Sequence, residues 1–481
     1  MTKRKRMIMW TAIGVYFTVY IGVIIYHTYK QLPKGISYEG ELRKTEDIEV
    51  FTDLTYAKNQ DGDGTVHENY IFDEVYSMIE AAEEFVVLDL FLMDHYVDQD
   101  IEFPKIAETL TTKLLDKKKE NPKMKIVFIT DPLNTGYGSY ESKWFKKLVD
   151  AGVEVVYTDL DQLRDSMPLY SGLYRTLFRW GDIGGKSWIP NAMSSEAPKL
   201  RLASYVTLMN VKANHRKVIV TEQAGLVSSS NPHDASGFHG NVALKVSGTI
   251  INDLLEAEEA VFNYSTGQTG QTLPRIEVQE TNEGQYRVQY VTEQKIKDVL
   301  LKNLTSAEKG DRVRIGMYFI AEPDVVKALT KAAKRGVEIK LILDPNENSF
   351  GNDKSGLPNR PVVQKLLEDS EETIEVRWYN TVVGQYHTKL IMIEKGETVN
   401  ILNGSANLTE RTLDNYNLES DLHVIAPKDS ELVKELDAYF ERLWKNEDAL
   451  YTLDVNEYQS AMTRPQRVIY ALQEWLKLTS Y

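Results

Sequence analysis

Two copies of one unit make up most of this chain, and the internal repeat constrains its fold more than any other feature. The segment KMKIVFITDPLNTGYG (123–138) resembles GVEIKLILDPNENSFG (336–351), and each is an apolar strand followed by Asp-Pro and a glycine-containing loop. A helical pattern precedes each copy, at 106–120 in the first and 324–336 in the second. Another strand follows each copy, at 152–160 in the first and 373–380 in the second. Strands that alternate with helices indicate sheets covered by helices. We therefore expect an α/β protein: two duplicated α/β/α lobes with mixed, mostly parallel sheets about a pseudo-twofold axis.

Each copy also contains a His-x-Lys sequence at the start of an apolar strand. His215 and Lys217 begin HRKVIVTE, and His387 and Lys389 begin HTKLIMIE. Alternate side chains of a strand share a face, so the histidine and lysine of each pair point the same way. Both strands continue to a glutamate and then to a turn of small residues, which gives these further pairs: Glu222 and Glu394, Ser229 and Ser405, Asn231 and Asn407.

The repetition of this pattern favours a phosphate-binding site between the lobes. Two lysines can share one cleft only if an anion lies between them, and a phosphate meets that need. Serine and asparagine side chains at the turns can donate further hydrogen bonds to it. One histidine can then attack phosphorus while the other protonates the leaving oxygen. Because the lysines stabilise the developing charge, we expect neither a metal ion nor another cofactor.

These residues resemble the phospholipase D superfamily, whose mark is a duplicated His-x-Lys-x4-Asp followed by Gly-Ser-x-Asn. The resemblance covers about residues 45–450, with glutamate in place of the aspartate in both copies. The second copy, with Arg411 and the sequence Asn417-Leu418-Glu419, is similar to the bacterial cardiolipin synthase branch. The resemblance implies a phosphodiesterase or phosphatidyltransferase that acts on phospholipid through a phosphohistidine.

The same resemblance implies that an acidic residue downstream of each asparagine orients the histidine of the opposite lobe. Glu419 has this position in lobe two and should orient His215. Its counterpart in lobe one, within GFHGNVALKVSG, is Asn241, and Asp234 is the other candidate. An amide can hold an imidazole by a hydrogen bond but cannot stabilise imidazolium by charge. We therefore expect a less basic His387 that acts as acid and base, with His215 as the nucleophile.

A membrane helix is predicted at the N-terminus. Residues 3–6 are all basic, and the following residues 7–26 carry no charge. At about 1.5 Å per residue, those residues match the roughly 30 Å hydrocarbon core of a bilayer. The basic cluster predicts a single-pass plasma-membrane protein with a cytoplasmic N-terminus and an outward-facing catalytic domain. A cleaved signal peptide is the alternative.

The predicted domains follow from these features and are listed in chain order: basic tail 1–6, transmembrane helix 7–26, lobe one 45–264 with an insertion at 161–205, linker 265–275, lobe two 276–450, and C-terminal amphipathic region 451–481. Within the insertion, residues 169–180 suit either a helix in a lipid interface or a helix that covers the sheet. The amphipathic segment 467–478 favours packing on lobe two over a position in the membrane interface.

Composition narrows the possible functions. The chain has no cysteine, which excludes disulfides, thiolate nucleophiles and cysteine-ligated metals. Its net charge of −15 argues against nucleic acid as the partner. The leading interpretation is a membrane-anchored phospholipase D-type enzyme acting on phospholipid. A nuclease of the same superfamily and an inactive membrane scaffold are the alternatives, and hydrolysis versus transfer, head-group specificity and oligomeric state stay open.

Overall fold

The computed structural model describes nine stretches of the chain. They are residues 2–59, 64–97, 101–179, 185–191, 193–268, 270–277, 283–349, 352–353 and 356–458. The amphipathic segment predicted at 467–478 lies outside the described residues.

The N-terminus forms a single long helix, α1, at Lys3–Tyr29. Thr2 caps its first turn, since the Thr2 hydroxyl accepts a hydrogen bond from the Lys5 amide. Among the described residues α1 is the one helix long and apolar enough to cross a membrane, and its apolar side chains are exposed. A connection that contains a turn at residues 34–35 leads from α1 to the short strand β1, Arg43–Thr45.

Lobe one is an eight-stranded sheet with helices on both faces. In chain order its elements are β2 (Ile48–Ala57), β3 (Thr65–Glu68), α2 (Ile71–Ala81), β4 (Phe85–Leu90), α3 (Ile106–Glu120), β5 (Lys125–Thr130), α4 (Lys143–Asp150), β6 (Glu154–Tyr157), α5 (Pro168–Leu173), α6 (Leu202–Leu208), β7 (Lys217–Thr221), β8 (Gly225–Ser228), β9 (Asn241–Val246) and α7 (Ile250–Thr266). The strand order is β3-β2-β9-β8-β7-β4-β5-β6.

Lobe two repeats this plan with a nine-stranded sheet. Its elements are β10 (Tyr286–Thr292), α8 (Gln294–Ser306), β11 (Arg312–Met317), α9 (Pro323–Lys334), β12 (Glu338–Leu343), the small pair β13 (Asn348–Ser349) and β14 (Asn352–Asp353), α10 (Asn359–Ser370), β15 (Ile374–Tyr379), β16 (Lys389–Lys395), β17 (Thr398–Gly404), α11 (Glu410–Leu413), β18 (Ser420–Pro427), α12 (Glu431–Lys445) and β19 (Thr452–Asp454). The strand order is β1-β10-β18-β17-β16-β11-β12-β15-β19.

The duplicated α/β lobes and their mixed sheets are confirmed, but the expectation of mostly parallel sheets is wrong. Within the described part of the chain, β4-β5-β6 and β11-β12-β15 are the strands that pair in parallel, and the other pairs in these two sheets are antiparallel. The helical crossovers within each repeat produce the parallel pairs. The His-x-Lys strands β7 and β16 enter the sheet in the opposite direction, and each continues through a tight hairpin, which requires antiparallel pairing.

Lobe two also extends beyond its predicted boundaries. Strand β19 joins the edge of its sheet at β15, past the limit predicted at residue 450. Strand β1 joins the opposite edge, although it precedes lobe one in the chain. The linker predicted at 265–275 begins two residues early, since α7 continues to Thr266.

The lobes pack through reciprocal contacts that follow the expected pseudo-twofold relation. Asn214 of lobe one forms a parallel bridge with Leu418 of lobe two, and Gly240 forms the equivalent bridge with Tyr386. Helix α7 of lobe one contacts β10 of lobe two, and α12 of lobe two contacts β2 of lobe one. One continuous apolar core therefore contains side chains of both sheets.

The insertion between β6 and β7 is helical in two places. Helix α5 continues into one π-helical turn at Tyr174–Phe178, which agrees with the helix predicted at 169–180 over the described residues. This helix packs against α1 and α6, so it does not cover the sheet of lobe one. The Tyr20 hydroxyl on α1 donates a 2.8 Å hydrogen bond to the Leu169 carbonyl.

Candidate active site

The two predicted catalytic histidines precede equivalent strands and face each other. The chain enters β7 through His215 and β16 through His387. The ring centroids of these histidines are 6.5 Å apart. The backbone amide of His215 donates a 2.9 Å hydrogen bond to the carbonyl of Leu418 in lobe two, so the contact between the lobes fixes this position.

A buried aspartate holds the backbone immediately before each of the two histidines. The Asn214 amide donates to Asp131 Oδ2 at 2.7 Å, and the Tyr386 amide donates to Asp344 Oδ2 at 2.7 Å. These aspartates belong to the repeated Asp-Pro sequences that follow β5 and β12. Their role as supports of the histidine strands was not recognised from the sequence, although their repetition was a visible signal.

The paired lysines lie beside the histidines in equivalent environments. Both are fully buried, and each ammonium donates to the carbonyl of the histidine two residues earlier, at 2.7 Å for Lys217 and 2.6 Å for Lys389. Lys217 Nζ lies 5.4 Å from the ring centroid of Phe91, and Lys389 Nζ lies 5.4 Å from that of Tyr318. A matching aromatic ring therefore borders each lysine.

Burial disfavours the charged form of both lysines. Removal from water lowers the pKa of Lys217 to about 7. The pKa of Lys389 is also lowered well below its ordinary value, by burial and by the nearby Lys217 charge. A phosphate between the two would favour both ammonium forms, because an opposite charge raises the pKa of an amine.

Each histidine contacts an orienting side chain from the other lobe. Nδ1 of His215 lies 2.9 Å from Glu419 Oε2, and Nδ1 of His387 lies 3.2 Å from Asn241 Oδ1. Both orienting side chains are fully buried. With Nδ1 engaged in each ring, Nε2 is the nitrogen left for chemistry.

Asn241 rather than Asp234 is the residue that contacts His387. The Asp234 carboxylate accepts a 3.0 Å hydrogen bond from the Ala107 amide and so supports the first turn of α3. The Asn241 amide is held in place by a hydrogen bond from its Nδ2 to the His239 carbonyl at 3.3 Å. The chain therefore has a carboxylate partner for His215 and an amide partner for His387.

Burial lowers the pKa of both histidines well below the ordinary value. The charges of Lys217 and Lys389 lower the pKa of each histidine further. Glu419 opposes this effect at His215, because a carboxylate in contact with imidazole favours its protonated form. Burial also raises the pKa of Glu419 well above its ordinary value.

The four residues expected to bind phosphate divide into two kinds. Asn231 and Asn407 line the cavity in front of the histidines, as a phosphate-binding role requires. Ser229 and Ser405 do not line it, and both are fully buried. The Ser229 hydroxyl donates to Asn241 at 3.0 Å, and the Ser405 hydroxyl donates to Glu419, so the structure places both serines behind the residues that orient the histidines.

Glu222 and Glu394 lie at the far ends of the histidine strands. The Glu222 carboxylate accepts hydrogen bonds from the backbone amides of Glu83 at 2.7 Å and Glu84 at 3.3 Å, which fixes the entry to β4. Glu394 forms an ion pair with Arg312 on β11. Both glutamates therefore support strand pairing and do not reach the histidines.

Two further residues near the site were missed by the sequence interpretation. Arg216, the middle residue of the first His-x-Lys, is fully buried and donates to Glu293 Oε1 at 2.8 Å. The same oxygen of Glu293 accepts a 3.1 Å hydrogen bond from the Glu419 amide. His239 is a third histidine at the site, with its ring centroid 5.7 Å from that of His387, and burial lowers the pKa of His239 to about 3.

The histidines open into a cavity of about 590 Å³. Its walls are mostly apolar and aromatic, and its basic residues include Arg411, predicted from the sequence as part of the second motif. The lining side chains that come from the insertion at 161–205 are Asn191, Met193, Ser194, Ala197 and Leu200. His215 and His387 line this cavity, and the buried Lys217 and Lys389 lie beside them, so the arrangement can accommodate a phosphate group.

Residues 300–444 match a protein family described as cardiolipin synthase, PLD-like domain. The matched stretch contains the second half of the site, from His387 and Lys389 to Glu419, and lobe one repeats it. This match places lobe two in the phospholipase D superfamily. No curated protein sequence matches the chain.

A solved structure of similar size shares the fold of nearly the whole chain. It is the phosphatidylserine synthase of Haemophilus influenzae Rd KW20, with a TM-score of 0.57 and 10% sequence identity over 96% of this chain and 98% of that one. The polyphosphate kinase of Porphyromonas gingivalis gives a TM-score of 0.47 at 14% identity over 90% of this chain and 54% of that one. The phospholipase D family member Nuc of Salmonella typhimurium gives 0.27 at 22% identity over 34% and 97%. The last two likenesses are too weak to bear on function.

Proposed function

We propose that this chain is a membrane-anchored phospholipase D-type enzyme that cleaves the phosphodiester of a phospholipid and transfers the phosphatidyl group. The observation that carries the proposal is the meeting of two His-x-Lys pairs at one end of a largely apolar cavity. The lysines match a phosphodiester, and the apolar walls match the glycerol and acyl parts of a lipid. Helix α1 would keep the cavity near a bilayer.

The proposed reaction has two steps. In the first, Nε2 of His215 attacks phosphorus, a P–N bond forms, and the P–O bond to the leaving alcohol breaks. His387 donates its proton to that oxygen as it leaves. In the second, neutral His387 takes a proton from water or an acceptor alcohol, whose oxygen attacks phosphorus and breaks the P–N bond. Lys217 and Lys389 stabilise the negative charge on the phosphoryl oxygens in both steps.

Glu419 supports His215 as the nucleophile in this scheme. After attack, the phosphorylated ring carries positive charge, and the carboxylate 2.9 Å from Nδ1 stabilises it. His387 must both donate and accept a proton during one turnover. A neutral amide at Nδ1 stabilises the imidazolium less than a carboxylate would, so His387 gives up its proton to the leaving oxygen more readily. The difference between the two partners, a carboxylate at His215 and an amide at His387, therefore supports His215 as the nucleophile and His387 as the acid and base.

The proposal is tested by the products formed from phosphatidylglycerol. The full-length protein, purified in detergent and returned to vesicles, is incubated with this lipid, and the lipid products are separated. Cardiolipin with free glycerol would identify transfer to a second phosphatidylglycerol, and phosphatidic acid with free glycerol would identify hydrolysis. His215→Asn is the matched control. Absence of product in the wild type, with cleavage of a single-stranded oligonucleotide under the same conditions, would reject a lipid enzyme in favour of a nuclease.

We also propose that the N-terminus is cytoplasmic and the lobes lie outside the plasma membrane. The basic residues 3–6 directly precede the apolar part of α1, which supports this orientation. Alkaline phosphatase fused to the C-terminus should be active, because it folds only outside the cytoplasm. A cytoplasmic reporter that is active at the same position, with inactive alkaline phosphatase, would reverse the orientation.

A further inference from the structure

Exposed apolar side chains outside α1 concentrate in the insertion of lobe one. The segment formed by α5 and its π-helical turn, residues 168–178, is named here the insertion helix. Leu169, Leu173 and Leu177 recur every four residues along it and therefore share one face. They are 40%, 40% and 53% exposed, and Phe178 adjoins them at 41%. A continuous apolar stripe of this kind on a soluble surface marks an interaction site.

The insertion helix packs directly on the apolar part of α1. The Tyr20 hydroxyl donates to the Leu169 carbonyl at 2.8 Å, and the Tyr16 hydroxyl lies 3.4 Å from Thr176 Oγ1. Gly172 faces α1 so closely that an added Cβ would lie 2.6 Å from Ile24 Cγ1. The two helices therefore form one unit in which the leucine stripe continues the exposed apolar surface of α1.

The charged side chains of the insertion helix point away from this stripe and form ion pairs. Arg175 is buried and forms an ion pair with Asp165 at 2.7 Å. Arg179, just beyond the helix, pairs with Asp161 at 3.1 Å. The Asp161 carbonyl also accepts a 2.7 Å hydrogen bond from Lys30, directly after the end of α1. The cationic side chains therefore lie near the C-terminal end of α1, beyond its apolar residues. The leucine face of the insertion helix carries no charge.

The insertion helix is also connected to the catalytic cavity. The Tyr170 hydroxyl donates to the Val206 carbonyl on α6 at 2.6 Å, and the Ser171 side chain hydrogen-bonds Asn210. Leu208 on α6 lines the cavity, and so does Val211 beyond the helix. Val211 lies four residues before His215. One unbroken series of contacts therefore runs from α1 through the insertion helix to the cavity wall.

We propose that the insertion helix docks in the lipid bilayer beside α1, with Leu169, Leu173, Leu177 and Phe178 in contact with acyl chains. Its occupant is a lipid bilayer because the stripe adjoins the apolar surface of a helix long enough to span one. The docked helix holds the wall of the cavity against the membrane surface. The further claim that lipid enters the cavity on this side rests on the proposed function.

The absence of cysteine from the chain makes the docking directly measurable. Leu173→Cys and Leu177→Cys each introduce a single thiol for an environment-sensitive fluorophore. Val149→Cys is the matched control, since Val149 is 54% exposed on α4, away from α1. Each labelled full-length protein is placed in vesicles of phosphatidylcholine and phosphatidylglycerol. Quenching is measured with nitroxide-labelled acyl chains in the bilayer and with iodide in water.

We expect strong quenching by nitroxide lipid and little quenching by iodide at both leucine positions. At Val149 we expect strong quenching by iodide and little by nitroxide lipid. Iodide quenching at the leucine positions equal to that at Val149 would overturn the proposal, since the stripe would then face water. Protection from both quenchers would also overturn it, because protein, such as a second copy of the chain, would cover the stripe. Near-native circular dichroism of each labelled protein shows that the label has not unfolded the insertion.

A second measurement separates docking from catalysis. Leu173→Glu combined with Leu177→Glu should lower turnover of vesicle phosphatidylglycerol severalfold, and turnover of the water-soluble bis(4-nitrophenyl) phosphate should stay unchanged. Val149→Glu should change neither. An equal loss on both substrates would overturn substrate entry at this face. An enzyme without activity on any lipid would refute the proposed function and leave the quenching result to decide the docking.

Discussion

Replacement of Asn241 by aspartate tests the asymmetry of the site more directly than any other change. Asn241 Oδ1 lies 3.2 Å from Nδ1 of His387, where Glu419 presents a carboxylate to His215 at 2.9 Å. The substitution changes one buried amide nitrogen to oxygen and keeps the size of the side chain. Asn241→Asp should therefore give His387 the ionic partner that it lacks.

The expected magnitude follows from the contact distance. Two unit charges about 4 Å apart interact by about 4 kcal/mol at an effective dielectric constant near 20. At 1.36 kcal/mol per unit, that interaction corresponds to a rise of about 3 units in the pKa of His387. The cost of burying the carboxylate, and the lost hydrogen bond from Asn241 to the His239 carbonyl, reduce the gain. We expect a rise of about 1–3 units, the range known for such pairs.

The sign of the effect on rate follows from the role of His387. In the wild type, burial and neighbouring positive charge hold its pKa well below the ordinary value. Deprotonated His387 cannot protonate the leaving alkoxide, so formation of the phosphohistidine fades as the pH rises through this pKa. In Asn241→Asp the alkaline limb should move to higher pH by the same amount that the pKa rises.

Rapid-quench measurement of phosphoenzyme formation against pH, with phosphate-labelled phospholipid, provides the assay. Glu419→Gln is the mirror control, because it removes the carboxylate at His215 and leaves His387 unchanged. It should lower the amount or lifetime of the phosphoenzyme without moving the alkaline limb upward. A folded Asn241→Asp protein whose pH profile superimposes on the wild type would refute the reasoning, since the contact would then not control His387.

Three further predictions concern the rest of the site. His215→Asn should abolish both turnover and phosphoenzyme labelling, and label trapped on His387 in the wild type would reverse the two roles. Lys217→Ala and Lys389→Ala should each lower the rate by about 10²–10³, the usual cost of losing one such electrostatic donor, and full activity in either would contradict a shared phosphate site. Sulfate, whose charge is constant between pH 6 and 8, should inhibit more strongly at the lower pH, because the pKa of Lys217 is about 7 and its ammonium form binds the anion. An inhibition constant that does not change over this range would show that the lysine charge does not control anion binding.

The duplicated architecture and the two His-x-Lys pairs were predictable because both depend on local order in the chain. An apolar strand, a helix and a polar pair two residues apart leave direct patterns in sequence. Their repetition marked His215, Lys217, His387 and Lys389 together. The cross-lobe position of Asn241 came from comparison of the two copies and the resemblance to a family, rather than from periodicity.

The remaining features depend on contacts between distant parts of the chain. Strand direction in a sheet is decided by which strands pair, so the antiparallel entry of β7 beside β4 was not visible locally. The direction of a side chain at a turn likewise depends on its neighbours, and Ser229 therefore points to Asn241 and away from the cavity. Asp131 reaches a backbone amide 83 residues away, and the packing of the insertion on α1 spans a still longer separation.

The reciprocal contacts between the lobes have a consequence for the history of the chain. Since each half supplies the group that orients the other half's histidine, neither half could work alone, and the ancestral single unit would have functioned as a homodimer. In such a dimer both orienting positions were necessarily identical, so neither histidine could specialise. Fusion of the two genes released each position to change separately. Under the proposed roles, the difference between Glu419 and Asn241 records the loss of this symmetry, because one half now supplies a carboxylate and the other an amide.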